Sequence, residues 1–178
     1  QLLTKPVQKY YQDLKKHNKC NQPKVALAQI KVTPGKPNLN YQKIIKEINK
    51  AKSRNVDIII FSEMVLSGYL IGDGWENGAF IKDLLQYNED ILKLSKGITV
   101  IWGNIHTDPS KINADGRVRK YNAAFIAQDG KWVTNGILAG KTYKTLMPNY
   151  REFDDSRHFF SMKQLADEKN TALTTLLK

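Results

Sequence analysis

A chain of 178 residues, 41% of them hydrophobic, is long enough to bury one sizeable core and has the make-up of a globular protein. No apolar run approaches the roughly 18 to 20 residues of a membrane span, and the N-terminus lacks the apolar centre of a signal peptide, so a cytoplasmic protein with no membrane partner is expected. The formal charge of +11 points to a polyanion only if the excess is gathered into a patch.

One concentration exists, at the start. Residues 1–24 hold Lys5, Lys9, Lys15, Lys16, Lys19 and Lys24 against Asp13 alone, which is +5 of the excess. In the same stretch Val7, Tyr10, Tyr11 and Leu14 recur at helical spacing, so residues 1–23 read as a basic amphipathic appendage and linker. The remaining lysines are scattered over turns and polar helix faces, which favours a lysine-biased surface over a nucleic-acid site. The single cysteine, Cys20, cannot form an internal disulfide. A chain opening on Gln1 reads as a processed product or a piece of something longer.

From Lys24 the pattern becomes that of a layered α/β domain over 24–178. Lys24 to Ile30 is an apolar run of strand length. After the turn Thr33-Pro34-Gly35, the residues Tyr41, Ile44, Ile45, Ile48 and Ala51 mark one face of a helix over roughly 38–54. Val56 to Phe61 is rich in β-branched residues and reads as a strand buried on both faces. A second amphipathic helix over about 79–96 carries Phe80, Ile81, Leu84, Leu85, Ile91 and Leu92, with Lys96-Gly97 as its stop. Ile98 to Gly103 has strand character again. Tyr121 to Gln128 and Lys131 to Leu138 flank Asp129-Gly130, a hairpin signal. The order strand, helix, strand, helix, strand and hairpin predicts a mixed sheet.

Two places can carry chemistry. Glu63 lies two residues beyond a predicted strand, at the edge where open α/β sheets keep their sites; it reads as a general base or as a surface or capping glutamate. The stretch from Lys141 to Phe160 crowds lysines, aromatics, carboxylates and arginines into one irregular segment, which reads as a site holding a lysine against a developing oxyanion or as a salt-bridged surface loop. His17, His106 and His158 are far apart, lack partners at metal-ligand spacing, and are expected at the surface, so no metal site is expected. Gly72, Gly74 and Gly78 lack dinucleotide-binding spacing. No Gly-x-Ser-x-Gly elbow is present.

Gln29, Pro34-Gly35, Asn40 and the run from Asp57 to Tyr69 resemble the opening of nitrilase-superfamily amidohydrolases, with Ser62 where that superfamily usually has proline. Tyr121-Asn122-Ala123-Ala124, then Lys144-Thr145-Leu146-Met147-Pro148-Asn149-Tyr150, Glu152-Phe153-Asp154-Asp155 and Arg157, narrow the resemblance to the glutaminase domain of glutamine-dependent NAD synthetases. It runs from about Lys24 to Phe160. It implies an α-β-β-α nitrilase-type sandwich with mixed sheets, cut short on its C-terminal side. It also implies Glu63 as general base, Lys144 (four residues before the proline) as catalytic lysine, Asp155 as a second carboxylate, and Tyr150 and Tyr69 as substrate contacts. The implied reaction is glutamine hydrolysis through a cysteine thioester, feeding ammonia to a fused ATP- and Mg²⁺-dependent synthetase that converts deamido-NAD to NAD, in a homo-oligomer. Cys20 precedes the first strand and matches nothing in that pattern, and the Ser-Gly-Gly loop of the synthetase half is missing. The 178 residues alone are therefore expected to be inactive and to hold no cofactor. Two alternatives are a stand-alone carbon-nitrogen hydrolase acting on another amide and a non-catalytic nitrilase-like module whose basic start binds a polyanion.

Overall fold

The computed structural model describes residues 22–134 and 137–176. The helix expected around Val7 to Leu14, together with His17 and Cys20, lies outside them. The chain begins with strand β1 (Val25–Ala28), helix α1 (Pro37–Ser53) and strand β2 (Ile58–Phe61). A 3₁₀ turn (Gly72–Glu76), helix α2 (Gly78–Leu94), and strands β3 (Thr99–Ile112) and β4 (Val118–Gln128) come after it. Short strands β5 (Lys131–Trp132) and β6 (Lys141–Tyr143) are next, then short helices α3 (Asp155–His158), α4 (Met162–Glu168) and α5 (Leu173–Leu176).

Both long helices start and stop for local reasons. Pro37 opens α1, where its missing N–H costs nothing, and Lys50 and Lys52 sit in the last turn against the negative end of the helix dipole. Asn77 caps α2, its Oδ1 accepting from the Phe80 N–H at 3.0 Å. Ile44, Ile48 and Ala51 on α1, and Leu84, Asn88 and Ile91 on α2, form the two buried stripes.

The sheet runs β1-β2-β3-β4-β5, with β6 also paired to β4. β1, β2 and β3 are parallel, in the register Val25↔Ile58 and Ile58↔Thr99, and β3 and β4 are antiparallel over most of their length. The crossovers β1–α1–β2 and β2–α2–β3 join sequential parallel strands and place α1 and α2 against each other, with Tyr41 and Tyr87 meeting at 4.9 Å between rings. Ile59, Phe61, Val100, Trp102, Phe125 and Ala127 point into the face that these helices cover and are buried. Trp102 Nε1 donates to Asn88 Oδ1 at 3.0 Å, and Asn104 Nδ2 donates to the same oxygen at 2.9 Å and to the Leu84 carbonyl at 2.8 Å. This buried polar knot fixes α2 on β3, since a displaced helix would leave these groups without partners.

The other face is open among the described residues. Val25 and Leu27 are 48% and 76% exposed, Ala124 is exposed, and Ile58, Ile60, Ile101 and Ile126 are only partly buried. The expectation that β2 is buried on both faces is therefore corrected: its residues alternate between buried and half-covered. The fold is a nitrilase-type mixed α/β layer, and the second sheet of the expected sandwich is not among the described elements.

Three further expectations change. The dominant hairpin is β3–β4, turning at Asn113 to Arg117, where Gly116 takes a left-handed φ of 79°. Asp129-Gly130 does turn the chain, but only Ala127↔Trp132 and Gln128↔Lys131 pair across it. The segment from Lys141 to Phe160 is less irregular than expected, because β6 adds to the β4 edge and α3 forms a helical turn.

Candidate active site

β2 delivers the chain to the sheet edge, and close packing sets the path of residues 62–68 beyond it. At Gly103 of β3 an added Cβ would lie 2.5 Å from the Met64 nitrogen, 2.7 Å from Glu63 Cα and 2.8 Å from the Ser62 carbonyl oxygen. Only glycine there lets residues 62–64 cross the open face of the sheet. At Gly68, φ is 76° and an added Cβ would meet Pro34 Cα at 2.7 Å. Asn40, fully buried, clamps the far end of this segment: its Oδ1 accepts from the Thr33 N–H, and its Nδ2 donates to the Thr33 and Leu66 carbonyls, each at 2.8 Å. Met64 holds a left-handed φ of 48° beside Glu63 while its side chain is buried. A non-glycine residue in that region costs on the order of 1 kcal/mol, which the packing overrides.

Lys144 lies just after β6, its N–H donating to the Asn122 carbonyl at 2.9 Å and its own carbonyl accepting from the Met162 N–H at 2.9 Å. Its ammonium reaches Glu63 Oε1 at 2.9 Å, the Tyr69 hydroxyl at 2.8 Å and Asp155 Oδ2 at 2.9 Å. An ammonium has three N–H donors, and all three are used. Asp155 opens α3 and is 3% exposed, and the Tyr69 hydroxyl lies 2.6 Å from both of its carboxylate oxygens and donates its proton to that group. Burial opposes the Lys144 charge, but the hydrogen bonds to Tyr69, Glu63 and Asp155 outweigh it, and the ammonium is held well above the ordinary lysine range. Lys144 is thus a fixed cation at neutral pH and cannot serve as a base. Burial and the neighbouring Asp155 push the Tyr69 phenol up to about 12, so it stays protonated.

The structure therefore brings Glu63, Lys144, Asp155 and Tyr69 together at one edge of the open sheet face. Glu63 and Lys144 line a cavity of about 290 Å³ whose floor includes Phe61, Gly103, Asn122 and Thr142. Tyr69 turns its hydroxyl to the lysine and Asp155. Tyr150 stands apart from these hydrogen bonds: it is 62% exposed and packs edge-on against Phe153 at 5.5 Å, which in turn packs against Tyr69.

Asn122 joins the cluster although the sequence assigns it no role: its Nδ2 donates to Glu63 Oε1 at 2.6 Å. An asparagine in the middle of a strand is disfavoured there unless its side chain has a partner, and that is the signal the sequence offers. The histidines need correction. His106 is partly buried, with Nδ1 2.9 Å from the Tyr143 hydroxyl. Burial, and then the charge of Lys141, bring its pKa down to about 4. His158 is buried against Glu76, Nδ1 to Oε1 at 2.7 Å, and Glu76 also takes Lys120 at 2.8 Å. Each histidine is thus tied to a partner from another element, His106 on β3 to Tyr143 of β6 and His158 on α3 to Glu76 of the 3₁₀ turn. Among the described residues no group of His, Cys, Asp and Glu could hold a metal ion, and no helix is long and apolar enough to cross a membrane.

Residues 24–173 match the family model described as carbon-nitrogen hydrolase. A glutamine-dependent NAD(+) synthetase from Acinetobacter baylyi is 31% identical over 136 residues, which are 76% of this chain and 23% of that protein. The structure of a glutamine-dependent NAD+ synthetase from Acinetobacter baumannii in complex with ADP superposes with a TM-score of 0.61 at 31% identity, covering 77% of this chain and 23% of that one. An amidase from Nesterenkonia sp. superposes with a TM-score of 0.59 over 78% of this chain and 48% of its own, at 15% identity, and shares the fold alone. The chain thus spans about a quarter of the synthetases and about half of the amidase.

Proposed function

The chain belongs to the carbon-nitrogen hydrolase family, and from that premise we propose that it is the glutamine-hydrolysing part of a glutamine-dependent NAD synthetase. Glutamine is the substrate, and the ammonia goes to a fused synthetase domain that converts deamido-NAD to NAD; the assembly is a homo-oligomer. ATP and Mg²⁺ belong to that synthetase domain, and amide hydrolysis needs neither. The 31% identity to a synthetase of this kind supports the substrate. The chemistry rests on one observation, the Lys144 ammonium held between Glu63 and Asp155 at 2.9 Å from each.

Glu63 takes the proton of a cysteine thiol, and the thiolate adds to the glutamine side-chain carbonyl. Lys144 faces the developing oxyanion, although in the resting site its three N–H groups are all engaged. Protonation of Glu63 removes the charge that holds one of them and weakens that hydrogen bond, so an N–H can turn to the oxyanion. The tetrahedral intermediate then collapses, Glu63 returns its proton to the departing nitrogen, and ammonia leaves a thioester. Water, deprotonated by Glu63, hydrolyses the thioester to glutamate and restores the thiol. Asp155, with Tyr69 and Lys144 on its oxygens, holds the lysine in place throughout. Cys20 matches nothing in the family's pattern, so in this reading the thiol is another one and the 178 residues alone do not turn over glutamine.

Ammonia release tests this. The 178-residue chain should release none above background, whereas a polypeptide in which it continues into a cysteine-bearing segment should release ammonia from glutamine. Turnover by the short chain that is lost in Cys20→Ser would overturn the assignment, and turnover by the longer polypeptide of other amides but not glutamine would replace the substrate.

A further inference from the structure

We propose that Asn122 is a positioning residue that decides which oxygen of Glu63 receives the proton; this rests on the reading of Glu63 as the base. Asn122 is 3% exposed and stands on β4 opposite Ile105. Its side-chain Nδ2 donates to Glu63 Oε1 at 2.6 Å, and its main-chain carbonyl accepts from the Lys144 N–H at 2.9 Å. One residue of the sheet thus sets both the carboxylate of the base and the backbone of the lysine. The orientation of the amide is dictated by charge, since Oδ1 turned toward a carboxylate would be repelled.

The consequence concerns the two oxygens. Oε1 takes Asn122 at 2.6 Å and Lys144 at 2.9 Å, while among the described residues no hydrogen bond reaches Oε2. The lone pairs of Oε2 are therefore the ones free to accept a proton, on a side chain that is 46% exposed at the cavity. Without Asn122 the carboxylate keeps a single hydrogen bond, to the Lys144 ammonium, and can rotate about it, so that either oxygen meets the lysine. Glu63 needs this outside anchor, because it lies on a loop that crosses the sheet at Gly103 rather than on a strand.

The side-chain resonances of the labelled 178-residue chain read the contact directly, without any activity. In Asn122→Leu, close in size to Asn, the Glu63 carboxyl carbon should shift and its side-chain couplings should move toward rotamer averaging, while amide resonances far from the site stay put. In the reciprocal Glu63→Gln, the Asn122 side-chain N–H₂ protons should move; this exposed substitution serves if Asn122→Leu does not fold. Unchanged Glu63 resonances in the first variant, or unchanged Asn122 resonances in the second, overturn the proposal.

In the cysteine-bearing polypeptide, kcat for glutamine should fall by about 10- to 100-fold in Asn122→Leu with KM within about twofold, as a misplaced catalytic group does. Asn122→Asp should fall further, since it sets a second carboxylate against Glu63. Equal losses in Leu and Asp, or a loss carried by KM, mean that Asn122 only fills space. A wild-type polypeptide that leaves glutamine intact removes the glutaminase reading, while the resonances still decide what Asn122 does.

Discussion

The two faces of the sheet are built from neighbouring residues of the same strands, yet they do opposite work. On the helix-covered face Trp102 and Asn104 are locked to α2 through Asn88, and their shared hydrogen bonds keep one packing arrangement. On the open face, one residue away, Gly103 and Asn122 serve the approach of Glu63 and Lys144. Stability is concentrated where side chains are enclosed, and chemistry where the same strands leave room. The difference arises from the alternation of a strand, which lets one sequence carry a core and a site without either compromising the other.

Substitutions on the two faces should separate stability from site geometry. The largest effect is expected from Trp102→Ala, which empties a fully buried ring and strips a donor from Asn88; a loss of about 3 to 5 kcal/mol in urea unfolding is expected. A loss below about 1 kcal/mol would mean that the covered face is not the core. Gly103→Ala, on the open face, should cost roughly 1 to 3 kcal/mol, because its methyl meets backbone that cannot turn aside. It should also displace Glu63 from Asn122, so an unchanged Asn122 side-chain amide resonance would refute the crossing.

Acid should act on the covered side through His106. The depressed pKa of His106 means that the folded chain holds fewer protons there than the unfolded chain. Its contribution to stability is complete above the ordinary 6.5 and is lost as pH falls through about 4. Thermal midpoints taken from pH 7 to pH 4 should decline less steeply in His106→Gln than in the wild type; parallel curves would exclude His106 as the source. The smallest effect is expected from Leu27→Ser on the open face, within about 0.5 kcal/mol, because the side chain is 76% exposed. A larger loss would show that the open face is covered in solution.

The sequence exposes the parts of this arrangement that repeat and hides those that depend on contacts across the chain. The two helices are legible from the spacing of Ile44, Ile48 and Ala51 and of Leu84 and Ile91, and the end of the second from Lys96-Gly97. The length of β3 is not, because Asp108, Pro109, Ser110 and Lys111 break the apolar pattern with loop-like residues while pairing with β4 continues up to Asp108 and resumes at Ile112. Burial of β2 on both faces is an inference from apolar content alone, and apolar content cannot say whether a covering layer is present. Glu63 is legible by its place beyond a strand. Lys144 and Asp155 stand out from their neighbours Lys141 and Asp154 only through resemblance, since nothing in the local pattern distinguishes them. The role of Asn122 depends on a contact with a residue 59 positions earlier; an asparagine in mid-strand signals that its side chain has a partner, but not which one.

The most direct measurement is single-turnover ammonia release from glutamine by the cysteine-bearing polypeptide, comparing wild type with Glu63→Gln. The substitution keeps the size of the side chain, lies on an exposed loop residue, and removes the ability to take a proton together with the charge that faces Lys144. Release should fall by at least about 10³-fold, within the range for loss of a general base, with the thermal midpoint unchanged within about 2 °C. Release retained within about threefold in a folded Glu63→Gln polypeptide would show that the cluster on the open face is not where the amide is cleaved.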